Sequence, residues 1–372
     1  MTEQFRAALL ALLMGAAAIA GAGPSMAQVP NRIGAGNIYD RACSSCHGSD
    51  GRGRTTTQLA FATPVPDFTD CAFATREADG DWLSIAHQGG PVRAFDRMMP
   101  AFGSALSKAE LQQALDHIRG FCTDKRWPRG EFNLPLALFT EKAFPEDELV
   151  VRNIVNAEGG SGSKTDITFE KRFGPRGQME VNVPLVHVDG GADAAEVGVG
   201  DIGIGWKQTL YANLDAGAIV SIGGEVKLPT GDSSRGLGKG SAVLEPYVAY
   251  GQILGGDAFF QTQFLAEFPT RDGFDDEIAW RSAVGKTFAA DGGWGRAWTP
   301  MLEVLAAREL ADGEDVQWDI VPQLQVSLSK RQHVLLAFGV KIPVTDSDTR
   351  DLQVGAYVLW DWFDGGFFEG WQ

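Results

Sequence analysis

Beyond residue 22 the chain contains no run of about 20 apolar residues, which excludes a membrane-crossing helix from the rest of it. Positive charge is also in deficit. There are 32 Lys and Arg against 48 Asp and Glu, a net charge of −16, and such a surface repels nucleic acid. Cysteine is scarce, at four residues, and histidine numbers five. One CxxC pair is present and no second, so a four-thiolate zinc site cannot be completed. The glycines Gly236, Gly238 and Gly240 lack the strand-then-helix setting of a phosphate loop. The acidic stretch from Asp272 to Glu277 reads as a solvated loop. His117, His187 and His333 stand singly and suggest no metal cluster.

What is present is concentrated in Cys43-Ser44-Ser45-Cys46-His47. Two thiols three residues apart, followed at once by an imidazole, are the requirement for covalent attachment of a c-type haem. Each sulfur can add to one vinyl group, and the histidine can bind the iron from the proximal side. A redox CxxC does not need the histidine, and half a zinc site has no other half. Attachment of this kind takes place outside the cytoplasm, and the N-terminus agrees. An apolar stretch from Ala7 to about Ala22 precedes Gly23-Pro24-Ser25-Met26-Ala27, whose small residues at 25 and 27 suit signal peptidase. Residues 1–27 are therefore read as a signal peptide and Gln28 as the mature start, with an uncleaved anchor as the competing reading. Cys71 and Cys122 form an even remainder in an oxidising compartment, and a disulfide between them is expected.

Three helices are predicted in this part. The first runs from Arg32 to Cys46, the second from Asp81 to His87, ended by Gly89-Gly90-Pro91. The third begins at Ser107, where Ser107 and Glu110 form a capping-box pattern ahead of Leu111, Leu115, Ile118 and Phe121. The loop before it, Met98-Met99-Pro100-Ala101-Phe102-Gly103, offers thioether sulfur, a soft donor that raises the potential of a haem iron. Met99, held by the proline after it, is the expected distal ligand, Met98 the fallback and His87 the third choice. Ordinary core packing is the bland reading of both methionines. Residues Ile33 to Cys122 resemble a class I monohaem cytochrome c, with the attachment motif on the first helix, a Met-Pro-x-Phe loop and a Leu-Ser-x-x-Glu-like entry to the last helix. The resemblance implies one covalent haem c, held by Cys43, Cys46, His47 and Met99, with His47 and Met99 as iron ligands.

Between Trp127 and Glu148 neither helical nor strand periodicity is visible, and residues 128–148 are expected to be an extended linker. From 149 to 372 the pattern has period two. Phe260, Phe264 and Phe268 oppose Gln261, Gln263 and Glu267; Ile202, Ile204, Trp206, Leu210 and Leu214 oppose glycines and polar residues. Trp318, Ile320, Leu324, Val326 and Leu328 oppose Asp319, Gln323, Gln325 and Ser327, and Val354, Val358, Trp360 and Trp362 continue the rule. About twelve such runs of roughly 9–12 residues are separated by Gly/Asp turns, a length that suits tilted strands crossing a bilayer. Aromatics gather near strand ends, at Tyr247, Tyr250, Trp294, Trp298, Trp360 and Trp362, as membrane girdles require.

The expected fold is thus multidomain: a small all-α cytochrome c domain (28–127), the linker, and an all-β antiparallel transmembrane barrel of about 12 strands (149–372), in preference to a periplasmic sandwich. The second segment loosely resembles outer-membrane transporter and aromatic-degradation-associated porin families, and the fusion order is similar to cytochrome-porin proteins of outer-membrane electron transfer. The haem domain is larger and the barrel shorter than that resemblance leads one to expect, a departure that speaks against direct iron oxidation. Residues 28–128 balance 11 basic with 11 acidic residues, whereas 129–372 hold 20 and 36. The expected function is single-electron transfer at the outer membrane with the haem domain on the periplasmic side, an electron carrier rather than a catalyst. Its partners would be periplasmic redox proteins or extracellular donors and acceptors. The rival is a porin-like transport protein in which the haem domain is a plug, tether or sensor; haem peroxidase chemistry would need an open distal site, which Met99 would block.

Overall fold

The computed structural model describes residues 35–59, 64–157, 162–189, 195–288 and 297–361. Residues 1–27, Trp294, Trp362 and the aromatic end from Phe367 to Trp371 lie outside them.

The N-terminal part is helical: α1 (Ala35–Ala42), α2 (Ser44–His47), α3 (Thr56–Leu59), α4 (Cys71–Ala74), α5 (Asp79–Gln88) and α6 (Lys108–Arg119). The predicted first helix is broken in two at Cys43, so the His47 turn is a separate short helix closed by Gly48 at φ +75°. The Ser107 hydroxyl accepts from the Glu110 N–H and the Glu110 carboxylate returns to the Ser107 N–H, completing the capping box of α6. Leu111, Ala114 and Leu115 of that helix are buried, and it packs against both α1 and α5. Cys71 and Cys122 are joined by a disulfide that ties α4 to the end of α6.

The remainder is a closed antiparallel barrel. Its strands are β1 (Glu148–Asn156), β2 (Ser163–Phe173), β3 (Gly177–Val188), β4 (Glu196–Val199), β5 (Gly203–Asn213), β6 (Ala218–Lys227), β7 (Val243–Ile253), β8 (Ala258–Pro269), β9 (Glu277–Lys286), β10 (Trp298–Glu309), β11 (Gln317–Ser327), β12 (Val334–Pro343) and β13 (Gln353–Asp361). β4 and β5 share one position, since both pair with β3, at Leu185–Val188 and Gly177–Asn182. The ring therefore has twelve positions, and β1 closes it by pairing with β2 on one side and β13 on the other. A sandwich has edges; this sheet has none.

The alternation reads inside out for a protein dissolved in water. Phe264 is 59% exposed while its neighbour Gln263 is 1% exposed. The same inversion holds around the ring: Phe169, Met179, Ile204, Trp206, Val248, Val284, Leu302, Phe338 and Val354 are exposed, while Gln178, Lys207, Ser221, Gln261, Glu303 and Gln325 are buried. A continuous apolar outer band is stable only against hydrocarbon, and a closed ladder leaves no backbone group unpaired within it. Among the expected girdle aromatics, Trp298 faces outward. Tyr247 instead points into the lumen, because it shares strand parity with the inward Glu245 and Ala249, and Trp360 is buried against Val334 and Leu149.

Placing a cation on the outer band should cost what insertion into hydrocarbon costs. Phe264→Arg, in the middle of β8, is expected to destabilise the barrel by about 2–4 kcal/mol in reversible unfolding from lipid vesicles. Gln317→Arg, at the exposed start of β11, is expected to cost less than about 1 kcal/mol.

Candidate redox site and luminal segment

His47 is positioned by short-range backbone bonds. Its N–H donates to Cys43 O at 3.0 Å, its own carbonyl accepts from Gly53 N–H at 2.9 Å, and Tyr39 Oη donates to Gly48 O at 2.6 Å. The ring stacks on Phe68, centroids 4.9 Å apart and planes 19° from parallel; Phe68 in turn packs on Trp82 of α5, and Arg119 lies over the Trp82 ring at 4.0 Å. Burial holds the imidazole at about 4, well below its usual value, so it stays neutral at ordinary pH with a lone pair to offer. Its Nδ1 is buried without a hydrogen-bond partner. Cys43 and Cys46 are free thiols, while the other two cysteines are bonded to each other. Burial, then the neighbouring Cys46, pushes the Cys43 thiol up to about 11. Two unpaired thiols beside a neutral, otherwise unengaged imidazole and an aromatic wall fit thioether attachment and axial ligation of a haem.

The methionine loop docks on the C-terminal end of α5. Gly90 N–H donates to Met99 O at 3.0 Å, Phe102 N–H to Ala86 O at 3.0 Å and Gly103 N–H to His87 O at 2.9 Å. Met98 is half exposed, and Met99 is partly buried with its Cβ beside Gly90. The two faces of α5 are divided: Trp82 lies on the His47 side, whereas Leu83, Ser84 and His87 line a cavity of about 820 Å³ that faces the barrel. The His87 ring also lies directly on Gly103, where an added Cβ would come within 2.6 Å of Nε2.

Residues 128–148 contain one 3-10 turn, Gly130–Phe132, and no strand until β1 begins. They run inside the barrel and occupy much of its lumen. Leu134, Leu136, Leu138 and Phe144 are buried against inward Phe259, Met301, Val321, Tyr357, Ile219 and Leu265. With no ladder of its own, the segment's backbone is satisfied by wall side chains. Gln261 donates to Pro135 O, Tyr357 to Leu136 O, Arg281 to Phe139 O, Lys207 to Lys142 O and Ser221 to Ala143 O. Gln323 accepts from Leu138 N–H, Glu303 from Phe139 and Thr140 N–H, and Gln178 from Glu146 N–H. A second cavity, about 480 Å³, lies on the other side of the segment and shares no lining residue with the first.

The helical part is fastened to the barrel end where β1 starts. His333 meets Glu77 at 3.0 Å, Arg76 meets Asp147 at 3.3 Å, and Arg331 lies over Phe95 at 4.4 Å. His333 lies in the turn before β12 rather than within a strand, its N–H bound by Ser329 Oγ. His117 packs between Tyr39 and Phe121, and His187, near the end of β3, lines the smaller cavity. The sequence reading missed the luminal course of 128–148. The stretch itself carries no sequence signal of it, since a segment in no ladder has no periodicity.

In chain carrying no prosthetic group, alkylation of Cys43 should keep accelerating from pH 9 towards about 11, followed by mass spectrometry of the peptide; a plateau near pH 9 would contradict its burial. Cys71 and Cys122 should label only after reduction. The unfolded chain protonates His47 near pH 6.5 and the folded chain only near 4, so the helical part should lose stability as pH falls through that window.

Two family descriptions match the chain. Residues 34–118 match cytochrome C oxidase, cbb3-type, subunit III, and residues 144–319 match "Putative MetA-pathway of phenol degradation". No curated protein matches. Among solved structures, an outer membrane channel from Pseudomonas putida F1 is 12% identical, with 62% of this chain and all of that chain covered at a TM-score of 0.44. The NanC porin is 11% identical, with 57% of this chain and 99% of that one covered at 0.42. The KdgM porin is 11% identical, with 58% and 99% covered at 0.39.

Proposed function

We propose that this chain is an outer-membrane-anchored electron carrier with one haem c in its helical part, facing the periplasm. The observation that carries the reading is the pair of unbonded thiols beside the neutral, partly buried His47, in a domain fastened to a lipid-facing barrel. Bound there, haem supplies a one-electron iron couple. Cys43 and Cys46 would hold it by thioethers, and His47 and Met99, the latter from the loop on α5, would be its iron ligands. Phe68 and Trp82 exclude water from the proximal side and keep the imidazole from turning. Partners are periplasmic redox proteins on one side and donors or acceptors at the membrane on the other.

The filled lumen favours an anchor over an open pore. A second reading, a transport protein gated by movement of residues 130–148, is supported by the two cavities that flank this segment. Peroxidase chemistry is not favoured, because a thioether on the iron occupies the position peroxide needs.

Purified from outer membranes, the chain should show a c-type spectrum and exchange electrons reversibly with a soluble periplasmic cytochrome. Met99→Ala is expected to abolish the sulfur–iron absorption band and lower the potential, while Met98→Ala leaves both unchanged. Colourless protein would overturn the reading. Loss of low-spin character in His87→Ala, with Met99→Ala unaffected, would replace the distal ligand.

A further inference from the structure

Glu141 on the luminal segment, Glu170 on β2 and Glu180 on β3 bring their carboxylates to one place, with a ligand oxygen from each within 4.8 Å of the others. Three like charges so close are unfavourable, most of all for the buried Glu170, unless something neutralises them. Glu170 is only 5% exposed, and its Oε2 is buried without any hydrogen-bond partner. Lys207 offsets part of this charge, and the cations nearby also hold other groups. Lys207 Nζ donates to Lys142 O at 3.0 Å, Lys142 is held by Glu146 and Glu148 at 2.8 and 3.0 Å, and Arg281 donates to Phe139 O. Arg152 lines the adjoining cavity, yet no ion pair within 4 Å joins it to any of the three.

We propose that this trio binds a divalent cation of the hard, oxygen-preferring class, with Ca²⁺ the best match in size. The oxygen spread accommodates Ca²⁺–O bonds of about 2.3–2.6 Å, whereas Mg²⁺, at about 2.0–2.1 Å, demands a tighter and more regular shell. Glu141 and Glu180 also line the 480 Å³ cavity, which supplies an entry path and room for the waters that complete the coordination. One ligand comes from the luminal segment and two come from the wall. The ion therefore stitches the segment to β2 and β3, in addition to the Lys171–Asp147 pair at 2.7 Å. The site is independent of the haem.

The test is equilibrium dialysis of metal-stripped, purified full-length chain in detergent against Ca²⁺ alone, with thermal unfolding of the barrel in parallel. One bound equivalent is expected, together with a Ca²⁺-dependent rise in unfolding temperature. Both should be lost in Glu170→Gln and in Glu141→Gln, and both should persist in Asp275→Asn/Asp276→Asn, which alters the exposed loop between β8 and β9. Glu141 lies outside the strands, so its variant decides the matter if Glu170→Gln fails to fold. Absence of bound Ca²⁺ would overturn the proposal, as would an equivalent that survives Glu141→Gln; the trio would then be a proton-sharing cluster.

Discussion

The architecture depends on one constraint: a stretch of irregular chain inside a membrane barrel must have every peptide group satisfied by the wall. In water such a stretch would be solvated, but here each unpaired N–H or C=O costs several kcal/mol. Inward Gln178, Gln261, Glu303, Gln323 and Tyr357 supply the partners, each bond contributing about 1 kcal/mol net and sparing a larger penalty if lost. The wall residues are thus long and amide-bearing where the segment passes. They are small or apolar where its leucines and Phe144 pack, as at Ala249, Ala283 and Ala337.

That arrangement determines what the helical part can do. Gly130 begins the luminal run so close to the Arg76 carbonyl that a Cβ there would lie 2.1 Å from it, which makes the junction stiff rather than hinged. Asp79 gathers Arg119 and Arg129 across the same junction. At the contact with the barrel, burial raises Glu77, but His333 and then Arg119 and Arg93 outweigh it and hold the carboxyl below its usual range. A domain bound at these points holds the His47 region in a fixed orientation relative to the barrel, which suits the proposed electron transfer better than a mobile tether would.

Much of this was legible in the sequence. The attachment motif, the capping box at Ser107 and the Cys71–Cys122 pairing depend on neighbours in sequence or on simple parity, and period-two runs such as Phe264/Gln263 showed both the strands and their two faces. What could not be read was anything set by long-range placement. Residues 134–144 have no periodicity because they belong to no ladder, so they resemble a linker until the wall that surrounds them is known. Tyr247 looked like a girdle aromatic because its ring suits an interface, but one step of register sends it inward. Pro184 hides a subtler device: it has no N–H to give, and its carbonyl accepts from Gly200 N–H at 2.8 Å, where the chain breaks between β4 and β5. Glu141, Glu170 and Glu180 are far apart in sequence and were individually unremarked.

Single-channel recording in planar bilayers tests the central claim most directly. If residues 132–148 fill the lumen as described, the full-length chain should be electrically silent at modest voltage, and Gln323→Ala/Gln261→Ala, which strips partners from the luminal backbone, should open transient conducting states. Steady porin-like conductance from the unaltered chain would contradict the account.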